Sequence, residues 1–469
     1  MVLLSWMMHS KFNSSAYKRM SPKELTLVMD RDDESPVKTM NCAGQDDGNP
    51  SWRRSLPHVC VATITSFLFG YHVGVVNEPL ESISLDLGFA GNTMEEGLVV
   101  SMCLGGAFFG CLFSGWIADG IGRRRAFQLS ALPMIFGACL SASATSLEGM
   151  LAGRFLVGMG MGLGPPVASL YVTEVSPSSV RGTYGSFIQI ATCLGLIGAL
   201  LIGIPVKEYT AWWRVCFWVA TVPAVLLAIL MEFCAESPLW LYKRGRITDA
   251  EVQFERLLGG PHVKSAIAEL SRSEKADEGE SLSGINAVFY FSSTVFKSAG
   301  VPSNLANIFV GLANLSGSII AMLLMDKLGR KVLLFGSFLG MATAMGLQSL
   351  AGGAHFLGSG ALYLSVGGML LFVLAFSLGA GPVPGLLLPE IFSNKIRAKA
   401  MALCMSVHWV VNFFVGLLFL QLLEQLGAQV LYSIFAAFCL IAAVFVKKNV
   451  LETKGKTLQE IEVALLSSE

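Results

Sequence analysis

The sequence predicts an all-α polytopic membrane protein, and three observations predict it. Hydrophobic residues make up 53% of the 469 and charged residues only 14%, against about a quarter charged in soluble globular chains. The apolar residues come in long continuous runs, such as Leu56 to Val76 and Thr210 to Cys234. Basic residues collect in alternate connecting loops. Hydrocarbon offers backbone groups no water, so spans must be helices or closed barrels. Barrel strands alternate apolar and polar residues in short runs, which continuous runs exclude.

Residues 1–55 are polar and serine-rich, and Lys11, Lys18, Arg19 and Lys23 all precede the first acidic residue, Glu24. Two readings stand: a weak transit peptide or a polar cytosolic tail. A first half, 56–234, carries apolar spans near 57–77, 95–117, 126–144, 151–172, 186–204 and 213–234. A polar linker, 235–281, divides the chain. A second half, 282–446, carries spans near 282–296, 303–325, 332–352, 360–389, 399–423 and 427–446, ahead of a tail, 447–469. Most spans approach the ~20 residues needed to cross hydrocarbon.

The loops orient the spans. One set carries Arg123, Arg124, Arg125, Arg181, Lys243, Arg244, Arg246, Lys327, Arg330, Lys331, Lys395, Arg397, Lys399, Lys447 and Lys448; the other carries only Lys207 and Lys297. The positive-inside rule places the basic set, with both termini, on the cytosolic or equivalent side.

Composition also excludes classes of function. With 33 basic and 33 acidic residues the net charge is zero, so no nucleic-acid partner is indicated. Nine of the ten cysteines lie in or beside apolar runs and no CxxC occurs, so no zinc or redox motif is present. No metal-ligand cluster, nucleophile motif or phosphate-cradling loop interrupts the spans. The expectation is a protein that is not an enzyme and needs no cofactor, with the lipid bilayer as a partner. Oligomeric state is not legible.

The two halves echo each other. Asp119-Gly-Ile-Gly-Arg-Arg recurs as Asp326-Lys-Leu-Gly-Arg-Lys, 207 residues on (326 − 119). Glu174, Arg181 and Glu236 recur as Glu390, Arg397 and Glu452, each 216 residues on (390 − 174). Such recurrence argues for two homologous six-helix halves, the architecture of secondary transporters with a midplane site between repeats.

At these residues a family resemblance becomes specific. The matching pieces are Gly70 to Asn77, Asp119 to Arg124, Gly153 to Phe155, Tyr171 to Glu174 and Arg181-Gly182 in the first half. Glu236 to Trp240, Ser283 to Asn286, Gly381 to Pro384, Pro389-Glu390 and Glu452 to Gly455 follow in the same order. The chain resembles the sugar-porter family of the major facilitator superfamily from Leu56 to Thr457, and most of all its plant plastidic glucose transporter group. The resemblance implies the major facilitator fold, nominally 12 transmembrane helices, a small-molecule sugar as substrate and the plastid (chloroplast) envelope as location.

Site residues follow. A hexose shows hydroxyls all round, so its pocket needs neutral amides, which donate and accept, and an aromatic platform. Gln189, Asn286, Asn314, Trp409 and Asn412 match sugar-contacting positions of the family. Arg154 lies inside an apolar run and needs a carboxylate or carbonyl partner, because an unpaired cation there costs at least ~2.5 kcal/mol. With Asp119, Arg123, Glu174, Arg181, Glu236, Asp326, Arg330, Glu390, Arg397 and Glu452 it resembles a cytosolic gate of ion pairs between the halves. Gly379-Ala-Gly-Pro-Val-Pro-Gly385 predicts a broken, bending helix, with Gly385 where many sugar porters carry tryptophan. Proton-driven members usually place a carboxylate where this chain has His72. Facilitated diffusion is therefore the expectation, a proton symporter using His72 the alternative.

The second half opens abnormally. Leu282 to Phe296 is 15 residues, ~22 Å of helix against ~30 Å of hydrocarbon, and Glu280-Ser281 stands where the family has a Gln-Gln pair. This predicts a truncated seventh helix, an internal deletion, and a form that transports poorly or serves as a sensor.

Overall fold

A computed structural model describes residues 52–260 and 303–456, except 78, 178–179, 207–208, 210, 354–358 and 393–395, together with 263, 266–267 and 461. The described chain is helical throughout: α1 (Trp52–Gly74), α2 (Leu80–Leu87), α3 (Thr93–Ile121), α4 (Arg123–Ser143), α5 (Leu147–Val175), α6 (Arg181–Val206), α7 (Trp212–Glu232), α8 (Pro238–Lys243) and α9 (Ile247–Leu258). After residue 302 come α10 (Ser303–Leu328), α11 (Arg330–Gly353), α12 (Ser359–Ala375), α13 (Pro382–Ile391) and α14 (Arg397–Asn449). Between α12 and α13 runs a π-helical turn, Phe376–Ala380. α14 is really two helices meeting at Gly427, whose φ of 76° and ψ of 159° no helix contains.

Among the described residues eleven helices are long and apolar enough to cross a membrane. They coincide with every predicted span but the seventh: residues 282–296 lie outside the described set, and so does the predicted truncation. The sequence reading missed α2, α8 and α9, which are too short or too polar to register as spans. Local signals set the ends. Asn92 Oδ1 accepts from the Met94 amide at the start of α3 (3.2 Å), and Ser146 Oγ from the Gly149 amide at the start of α5 (3.3 Å). Both hydroxyl and amide caps satisfy donors that no helical carbonyl can reach.

Small residues decide which helices touch. Gly106 and Gly110 on α3 face Gly158 and Gly162 on α5. A methyl group at Gly106 would sit 2.1 Å from the Phe155 carbonyl, and one at Gly162 1.9 Å from the Ala107 carbonyl. Lipid tails are as apolar as leucine, so helices associate through such close backbone contact rather than by hiding oil from water. The first half is braced further by phenols: Tyr71 donates to the Cys216 carbonyl (2.7 Å) and Tyr171 to the Ala235 carbonyl (2.6 Å).

The halves meet along two seams. In one, α3 lies on the start of α14: Gly115 packs on the Ala398 backbone and the Cys111 thiol reaches the Ala402 carbonyl (3.5 Å). In the other, α6 lies along α10 and α13, with Gly185 against Leu386 and Gly182 against Asp326. Both seams reach the face that carries the basic loops.

Candidate functional site

The charged residues of the repeat form two matching cages on the basic face. Gly122, at φ 94°, turns α3 directly into α4. That conformation costs a Cβ-bearing residue strain, and a methyl there would also meet Glu236 Oε2 at 2.5 Å. Glu236 accepts the backbone N–H of Arg123 (2.9 Å), Arg124 (3.3 Å) and Ser237 (2.9 Å), capping α4 with a negative charge where the helix dipole favours one. Burial holds the Glu236 carboxyl above the usual carboxylate range, with these three donors opposing it. Arg123 grips Glu174 with two parallel bonds, 2.8 and 2.9 Å, and Asp119 with a third, 3.1 Å. The side chains of Arg123 and Glu174 are each 1% exposed.

The second cage repeats the first. Gly329, at φ 91°, turns α10 into α11. Glu452 accepts the backbone N–H of Arg330 (2.9 Å) and Lys331 (3.0 Å). Arg330 bonds Glu390 (3.2 Å) and Asp326 (3.3 Å), and Thr453 donates to the far oxygen of Glu390 (2.8 Å). The repeat read from residue spacing is thus a repeat of geometry.

Several residues of the expected gate sit otherwise than expected. The ion pairs of Arg123 and Arg330 lie within each half rather than between halves. A bond that does cross is made by Thr183, which the sequence reading did not single out. Its amide (3.1 Å) and its hydroxyl (2.9 Å) both donate to Asp326 Oδ2. Arg181 opens α6 beside this contact. Arg397 is buried, donating to the Phe392 carbonyl (3.1 Å). Lys243 lies within electrostatic range of both Glu174 and Arg397; burial holds its ammonium below the usual lysine range, with Glu174 opposing and Arg397 assisting.

Arg154 does not join either cage. It stands two turns into α5 at the opposite membrane face, 2% exposed, and donates to the carbonyls of Val99 (3.2 Å) and His72 (3.3 Å). Its partner is backbone, not carboxylate. His72 is fully buried beside it.

Between the cages and that face lies a central cavity lined by Phe69, Gly70, Val73, Gln189, Thr192, Leu196, Asn314 and Phe376. Gln189 from α6 and Asn314 from α10 therefore face one space, one amide from each half. Trp409 backs it, packed edge-on against Phe69 with ring centres 5.6 Å apart. Asn412 is buried and its Nδ2 donates to the His408 carbonyl one turn back (2.7 Å), so it is not among the lining residues. Asn286 lies outside the described residues.

The broken helix frames the cavity on the second-half side. Ser337 of α11 enters the opened turn, accepting the Ala380 N–H (2.9 Å) and donating to the Ala375 carbonyl (2.7 Å). A side chain inserted into the backbone ladder is a recognised cause of a kink. Gly379 allows the approach, since a methyl there would sit 2.3 Å from the Leu333 carbonyl. Gly385 faces Ser169, whose hydroxyl would lie 3.7 Å from a methyl group there, an ordinary van der Waals contact.

Two stretches of the chain, 58–281 and 279–465, match the family model described as Sugar (and other) transporter. The chain belongs to that family of transporters. It is 64% identical over 483 residues to "Probable plastidic glucose transporter 2" of Arabidopsis thaliana, covering 97% of this chain and 98% of the relative. It is 31% identical over 450 residues to the facilitated glucose transporter member 3 of Canis lupus familiaris, with 86% and 90% covered. Among solved structures it is similar to the proton:xylose symporter XylE bound to 6-bromo-6-deoxy-D-glucose, at 27% identity and TM-score 0.81 over 88% of this chain and 99% of that one. Against the inward-open conformation of XylE from E. coli the TM-score is 0.67. The sugar-transporter fold, with its multiple membrane-crossing helices, is that of this transporter.

Proposed function

We propose that this transporter is a facilitative hexose carrier, glucose being its substrate, that works by alternating access in the plastid envelope. It is a carrier and not an enzyme. The observation that carries the reading is the pairing of Gln189 and Asn314 across the halves in one cavity walled by Phe69 and Phe376. Neutral amides beside aromatic faces suit a polyhydroxylated ring. The halves touch at the basic face through Thr183 on Asp326 and Gly115 on Ala398, and that face is the cytosolic one by loop charge. The names of the plastidic and mammalian relatives support glucose, and the lower TM-score to the inward-open state supports a structure closed on the cytosolic side.

We also infer that this form lacks a segment before Ser283 and transports poorly. The alignment to the plastidic relative runs over 483 positions, more than the 469 residues of the chain, so at least 14 positions (483 − 469) have no counterpart here. The two family matches overlap at 279–281, next to the short apolar run that starts at Leu282, which supports a break at that point.

The test is radiolabelled glucose counterflow in proteoliposomes, with this chain beside one carrying about 25 apolar residues, a glutamine pair among them, restored before Ser283. Flux in the restored chain alone supports both inferences. Flux in both refutes the deletion argument. Flux in neither refutes the hexose assignment.

A further inference from the structure

Ser377 sits in the π-helical turn, fully buried, with its hydroxyl oxygen 2.7 Å from the Asn314 oxygen and 2.5 Å from the Val373 carbonyl. A serine hydroxyl carries one proton and two lone pairs. Placed so, it faces two acceptors and can satisfy one. The other oxygen is then left at contact distance with no hydrogen between, in a buried site where that costs most.

One rotation removes the conflict. An amide's oxygen and nitrogen are nearly identical in shape, and which is which follows from the hydrogen bonds around them. With the Asn314 NH2 turned toward Ser377, the hydroxyl donates to Val373 one turn back, a common serine habit in helices, and accepts from Asn314. All three groups are then satisfied. The Asn314 oxygen is then the amide atom turned away from Ser377, on a residue that lines the cavity.

We propose that Ser377 is a positioning residue that locks Asn314 with its carbonyl oxygen toward the cavity, so that this subsite accepts a hydrogen bond and admits only a donor. The proposal rests on the hexose reading. It makes Asn314 selective in a way a free amide is not: a free amide can offer either end, whereas a locked one demands the proton of a sugar hydroxyl.

The test is competition against radiolabelled glucose bound to the purified full chain, using monodeoxy and monodeoxyfluoro glucoses at each ring position. The Asn314→Ala variant identifies the hydroxyl concerned, as the position whose deoxy analogue no longer carries a penalty. At that position fluorine keeps acceptor character but has no proton to give. In the unsubstituted chain the deoxy and fluoro sugars should be equally poor there, each about fivefold to tenfold weaker than glucose, the range of one neutral hydrogen bond. In Ser377→Ala the amide is free to turn, and the fluoro sugar should recover relative to the deoxy. Ser377→Thr and Asn314→Asp should both keep the original pattern. A fluoro sugar that binds like glucose at that position in the unsubstituted chain overturns the proposal without any variant. An unchanged pattern in a folded Ser377→Ala also overturns it. No binding of any hexose by this chain or by the chain with the segment before Ser283 restored overturns the hexose reading, and this proposal with it; where only the restored chain binds, the same comparison is read in it.

Discussion

The Thr183 contact makes a prediction about the conformational balance. Its hydroxyl donates across the halves to Asp326, and the bond exists only while α6 and α10 lie together at the basic face. Thr183→Val keeps the shape and the backbone N–H donor but removes the hydroxyl. A hydrogen bond to a charged acceptor contributes about 1.5–3 kcal/mol. The Asp326 side chain is 36% exposed, so solvent competes and the low end applies, about 1.5 kcal/mol. Every 1.4 kcal/mol is a factor of ten, so the open population at the basic face should rise about tenfold. The assay is energy transfer between fluorophores on the basic-face ends of α6 and α10, attached through non-natural residues because the chain has ten cysteines. Thr183→Ser keeps the donor and should behave as the parent. A Thr183→Val distribution that matches the parent, or a Thr183→Ser shift as large as that of valine, would refute the latch.

Arg123→Met strands the Glu174 carboxylate in a buried site, which typically costs about 3–5 kcal/mol; Arg123→Met with Glu174→Gln should recover most of that loss in denaturant unfolding of the detergent-solubilised protein. Ser337→Ala leaves the Ala375 carbonyl and the Ala380 N–H without the hydroxyl that joins them, and should cost at least about 2 kcal/mol in the same assay, with Ser337→Thr close to the parent.

The halves were legible because charge at a membrane edge is costly and rare, so its recurrence at spacings of 207 and 216 stands out against an apolar background. The pairing within the cages was not legible. Sequence places Arg123, Glu174 and Arg181 at one face, but only the turn at Gly122 aims Arg123 at Glu174. Arg154 was grouped with the gate because it is a cation in an apolar run; carbonyl oxygens, which no composition records, serve it instead. Thr183 reads as an ordinary residue near a helix start, and Ser337 as one serine in an apolar run. Each matters through a group on another helix, more than a hundred positions away for Thr183. The bend at Gly379 to Gly385 was legible from its glycines and prolines; the hydroxyl that fills it was not.

The Arg154 geometry bears on coupling. A proton-driven carrier needs a group that takes a proton on one side and releases it on the other. In the first helix no Asp or Glu lies between Leu56 and Asn77, and Arg154 is satisfied there by the carbonyl of His72 rather than by its ring. Protonating the imidazole would set a second cation beside a buried guanidinium, with no carboxylate found near either among the described residues. Flux in the chain with its seventh span restored should therefore follow the sugar gradient alone. Adding a protonophore should leave net uptake down the sugar gradient unchanged, an imposed pH gradient should drive no accumulation, and His72→Asn should be unable to uncouple what is not coupled. Uphill uptake driven by an imposed pH gradient, lost in His72→Asn, would establish the symporter instead and show that a buried histidine can replace the carboxylate beside Arg154.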